Sequence, residues 1–165
     1  EGKTLQRLLQ ERRRLDWAAS VYLLKRAATA LHHAHQHDFI HRNLKPANIM
    51  LGRDETVKVM DFSLVHRALG LPPYMAPEQE QGKISPAIDI YALSVILYEM
   101  LTGELPFKGP NFLAQKREGL HSPASSLVPG LPKGIDAFFA AALAPEPSKR
   151  FHTAAALADG AAALS

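Results

Sequence analysis

Hydrophobic positions recur along this chain in three different rhythms. In TLQRLLQERR (residues 4–13), Leu5, Leu8 and Leu9 share one side, which predicts a short amphipathic helix. Asp16 suits the cap of a second helix, whose apolar face is Trp17, Val21, Leu24, Ala28 and Leu31, running to about His37. The rhythm then shortens. NIML and VKVM are brief apolar runs around the polar turn GRDE, a small hairpin over residues 48–51 and 57–60. Residues 61–84 have no period and hold three prolines, so they form a long irregular segment, of the kind that is more often functional than accidental. Ser85 followed by Pro86 is a cap followed by proline at the first helical position. The helix it opens, 87–102, is apolar on nearly every side and belongs at the centre of the domain, with Gly103 closing it. Further helices are predicted at about 110–118, 134–144 and 153–163, the last capped by Thr153. The pattern is one mainly α domain, helices around a central buried helix plus one small β-hairpin, with no internal repeat and no low-complexity linker.

Composition narrows the class without naming it. The chain has 165 residues, 47% hydrophobic and 21% charged, which suits one folded domain. The net charge of +3 is too weak to argue for nucleic acid, and Arg12, Arg13 and Arg14 read as a solvated helix end. No cysteine is present, which excludes disulfides and cysteine–zinc sites and fits a reducing cytoplasm. The longest apolar stretch, IDIYALSVILYEML (88–101), is shorter than a membrane span and carries Asp89 and Glu99. It reads as a core helix, and no membrane segment is expected. The histidine cluster HHAHQH (32–37) places His33 and His37 four residues apart, a spacing able to bind a metal. No carboxylate partner is evident for the cluster, and the structural reading is preferred.

Five motifs then stand in a fixed order. HRNLKPAN (41–48) precedes the hairpin and DFS (61–63) follows it. PPYMAPEQ (72–79), DIYALSVILYEMLTGELPF (89–107) and PSKRF (147–151) come after. Together they resemble the C-terminal lobe of a Hanks-type serine/threonine protein kinase of the bacterial sort, over essentially the whole chain. The Gly-rich loop and strand lysine that precede this lobe in the family have no counterpart in the sequence, so residues 1–165 are expected to be the C-lobe alone.

The resemblance assigns roles by position. Asn43 occupies the place of the family's catalytic aspartate. An amide accepts a hydrogen bond but cannot take a proton, and a positioned general base contributes about 10²- to 10⁴-fold in rate. Lys45 matches the lysine that touches the transferred phosphate, and Asn48 and Asp61 match the two magnesium ligands. Met50 would lie beneath the adenine. Ser63 replaces a glycine and Leu71 a threonine that normally contacts the catalytic aspartate and lysine. Between Ser63 and Tyr74 there is no hydroxyl to accept the activating phosphate that Arg42 would meet. Other positions match the family's scaffold. The ring of His41 packs in the core near Phe62. Asp89 holds the backbone of the His41–Arg42 turn, and Glu78 pairs with Arg150.

What the resemblance implies is a domain whose scaffold is kept and whose chemistry is partly dismantled. The expected function is a catalytically inactive pseudokinase module, cytoplasmic, working by protein–protein binding as scaffold or regulator. The alternative is a fragment of a two-lobed kinase with weak ATP binding or transfer. No cofactor is expected unless an N-lobe is supplied, when ATP and magnesium would bind. Leu5, Leu8, Ile49, Met50, Leu51 and Phe62 are expected to form an apolar face that binds a partner protein or a second copy.

Overall fold

Thr4 does two jobs where the described chain begins. The computed structural model describes residues 2–62 and 73–164. Thr4 ends a short strand, β1 (Lys3–Thr4), and its hydroxyl accepts from Arg7 N–H at 3.1 Å, capping α1 (Leu5–Arg12). β1 pairs antiparallel with β2 (Ile49–Leu51), Thr4 opposite Met50, and β2 pairs antiparallel with β3 (Val57–Val59). The expected hairpin is therefore part of a three-stranded sheet. Two residues are too few for a period, which is why the sequence did not announce β1.

Asp16 caps α2 (Trp17–Gln36), accepting from Ala19 N–H at 2.7 Å. Ser85 caps α3 (Pro86–Thr102), and Pro86 fills its first turn. Fourteen of the seventeen α3 residues are buried, as expected of a helix apolar on every side. Gly103 ends it at φ +74°, where a Cβ would lie 2.9 Å from the Arg13 side chain. Among the described residues, four further helices follow it: α4 (Phe112–Glu118), α5 (Ala124–Leu127), α6 (Ile135–Ala142) and α7 (Ala154–Ala162). α2 packs against α7, α3 and β3, and α3 also touches α5, α6 and α7. Leu15 N–H donates to Met100 O at 2.7 Å, fixing the α1–α2 turn to the end of α3.

The expected apolar face is smaller than the sequence implies. Leu5 and Ile49 are 1% and 2% exposed and belong to the core. β1 hands the chain straight into α1, which turns Leu5 inward onto the strands. Leu8 and Leu51 are half-buried against the same core. Met50 is half-buried, and Phe62 remains 39% exposed. Among the described residues, no helix is long and apolar enough to cross a membrane.

Candidate functional site

The loop between α2 and β2 takes its shape from α3. Asp89, 1% exposed in the first turn of α3, accepts three hydrogen bonds. His41 N–H donates to Oδ2 at 2.8 Å and Arg42 N–H to Oδ1 at 2.9 Å. The third donor is His35 Nε2, also 2.8 Å from Oδ2. The histidine cluster thus has a carboxylate partner after all. It lies 54 residues away in the chain, a separation that no local spacing reveals. With three donors on it, this buried carboxylate is well compensated for desolvation.

His41 lies fully buried and links two segments. Its Nε2 donates to Met60 O at 2.6 Å, and its Nδ1 accepts from Asn43 N–H at 3.2 Å. The ring stands 4.8 Å from that of Phe62, the contact expected from sequence. Arg42 adopts φ +74° and Asp61 φ +60°. Such backbone costs a non-glycine residue roughly 1–2 kcal/mol, and strain of this kind gathers at functional loops. Arg42 is exposed, and its carbonyl accepts from Gln79 Nε2 at 3.3 Å.

Asn43 is half-buried at the turn of the loop. Its carbonyl accepts from Asn48 Nδ2 at 2.7 Å. Asn48 is 5% exposed, and its own carbonyl accepts from Met60 N–H at 2.7 Å, immediately before Asp61. The two proposed metal-ligand positions are thereby tied to one ladder. Asn48 spends its amide N–H on the loop, so its amide oxygen is the atom left for a cation. Asp61 is an exposed carboxylate with no ion pair among the described residues. This amide and carboxylate pair is a donor set of the kind a hard cation prefers.

Lys45 lines an open cleft of about 490 Å³ together with Gln6, Gln10, Arg13, Tyr74 and Glu99. Tyr74 donates its hydroxyl to Glu99 Oε1 at 2.5 Å. Burial raises the Glu99 carboxyl above its usual range, opposed by the Tyr74 hydrogen bond. Burial also raises the Tyr74 hydroxyl, and the same carboxylate adds to the effect. Neither residue was given a role in the site from sequence, where Glu99 served only as a charge that argues against a membrane span. Lys116 was missed as well. It is fully buried on α4, donates from Nζ to Met75 O at 2.6 Å, and lies over the Phe112 ring at 5.5 Å. Desolvation lowers its ammonium pKa to about 8.

Below this loop, Glu78 and Arg150 form the expected ion pair. Arg150 NH1 and NH2 donate to the two Glu78 carboxylate oxygens at 2.7 and 2.9 Å, a bidentate fork with both residues buried. Arg150 also donates to Ala144 O and Pro145 O and lies over the Tyr91 ring at 4.6 Å. Ser63, Leu71 and the stretch between them fall outside the described residues.

The protein kinase domain profile matches residues 1–159, and the chain belongs to that family. Its relatives include bacterial serine/threonine kinases, which supports a bacterial-like Hanks-type family. Serine/threonine-protein kinase PknL of Mycobacterium tuberculosis is 35% identical over 95% of this chain and 43% of that protein. Serine/threonine-protein kinase PknB of the same species is 33% identical over 94% of this chain and 28% of its own length. PknB of Mycolicibacterium smegmatis matches to the same extent. The chain thus spans less than half the length of these relatives.

Proposed function

We propose that this kinase-family domain no longer transfers phosphate and works by binding other proteins. The observation that carries this is Asn43. The loop around it is held as a catalytic loop needs, with Asp89 fixing His41 and Arg42 and Asn48 fixing the Asn43 carbonyl. At its centre stands a side chain that cannot accept a proton. A fold that keeps such scaffolding, including the buried Glu78–Arg150 pair, without its general base retains a shaped surface rather than a reaction.

Lys45, Asn48 and Asp61 fit a magnesium nucleotide in donor chemistry, and Met50 offers an apolar surface for a base. These are the residues that would hold ATP and magnesium where the rest of a nucleotide site is supplied, with the metal neutralising phosphate charge. Residual nucleotide binding by these four residues is the second reading. The proposed protein contact is the face carrying Met50 and the exposed Phe62, with a partner protein or a second copy as occupant. Light scattering on the chain and on the double variant Met50→Glu, Phe62→Glu tests it. Association lost in the variant supports the contact. A wild-type chain that stays monomeric and captures no partner through this face contradicts it.

A further inference from the structure

Two imidazoles at the end of α2 stand apart from everything the kinase site uses. His33 and His37 are exposed and lie one helical turn apart. Their ring centroids are 4.5 Å from each other, tilted by 46°. His37 Nδ1 lies 2.9 Å from the His33 carbonyl oxygen. A carbonyl only accepts, so Nδ1 carries the hydrogen and the lone pair is on Nε2. This is the supporting hydrogen bond that commonly fixes the tautomer and ring orientation of a metal-ligating histidine. We infer that His33 and His37 form a two-imidazole site for a borderline divalent transition metal, Zn²⁺ or Cu²⁺, with water completing its coordination.

The chemistry selects the ion. Imidazole suits zinc and copper, whereas magnesium prefers oxygen and gives up its water reluctantly. Among the described residues, no group of three or more histidine, cysteine or acidic side chains converges. The site is therefore bidentate, weaker than a structural zinc centre, and reversible. Its position gives it a consequence. The turn between the two ligands carries His35, which donates to Asp89, and Asp38–Ile40 then leads into His41. A metal bridging residues 33 and 37 staples the turn that presents His35 to the loop's anchor.

The test is calorimetric titration of the untagged, metal-free chain with zinc chloride, then copper chloride, then magnesium chloride. Zinc and copper are expected to bind and to raise the melting temperature, and magnesium to do neither at this site. His33→Ala and His37→Ala should each weaken zinc binding at least about tenfold, the lower range for disturbing even a ligand's supporting partner. His152→Ala, at an exposed histidine elsewhere, should leave it unchanged. Circular dichroism confirms that each variant is folded. Substoichiometric copper should broaden the His33 and His37 ring resonances ahead of the others. Zinc affinity unchanged in both variants, or reduced in only one, overturns the two-ligand site.

Discussion

The amide side chain at position 43 cannot take a proton, and the residue is held in its loop through its own backbone. The contacts that shape the loop here run through backbone atoms, since Asn43 N–H donates to His41 and its carbonyl accepts from Asn48. Asn43→Asp should therefore fold normally. It should also fail to create a kinase, because transfer depends on several positioned groups acting together. Robust autophosphorylation by that single variant would contradict this. Lys116 gives a pH prediction. Its folded-state pKa, about 8, is below the ordinary lysine value of 10.5. Below pH 8 both states are protonated, and the cost of burying the charge is fully present. Between the two values the unfolded chain binds more protons, so stability rises with pH. Measured against Lys116→Met, wild-type stability should gain up to about 3 kcal/mol across that window. Urea unfolding at several pH values checks it, and parallel curves for the two proteins would refute it.

Among elements, α3 is the frame on which the site is hung. Asp89 at its start holds the loop, Glu99 near its end meets Tyr74, and Ala87 O lies 3.4 Å from Arg150. Asp89→Ala leaves buried N–H groups without acceptors, each costing about 1–3 kcal/mol. The variant should show faster amide exchange at His41 and Arg42 than at the α3 core. Arg150→Ala strands the Glu78 carboxylate and should cost about 3–5 kcal/mol. Lys45→Ala, at a half-buried residue with no ion pair among the described residues, should stay within about 0.5 kcal/mol. Equal losses of stability in the two variants would contradict this separation of scaffold from site. The helices were legible because periodicity and caps are local: Asp16, Ser85 and Thr153 all cap where their sequence context predicts. The motif order also foretold Asp89 on the loop and Glu78 on Arg150. What escaped were facts of tertiary distance. No short-range signal marks β1, the burial of Leu5 and Ile49, the His35–Asp89 bond or the buried Lys116, because each depends on a segment far away in the chain.

At the scale of the whole molecule, a helical lobe with a small sheet presents the loop of residues 41–48 beside an open cleft. Among the described residues, the apolar surface left near it is modest, centred on Phe62, since the core takes Leu5 and Ile49 for itself. A protein contact there would be specific through shape more than through buried area. The most direct measurement is transfer of the γ-phosphate from magnesium ATP to protein acceptors, by this chain and by any longer protein that carries it. The expected result is no turnover above background for wild type and for Asn43→Asp. Transfer by the wild type at the 1–100 s⁻¹ or so typical of kinases, abolished by Asn43→Ala, would contradict the account.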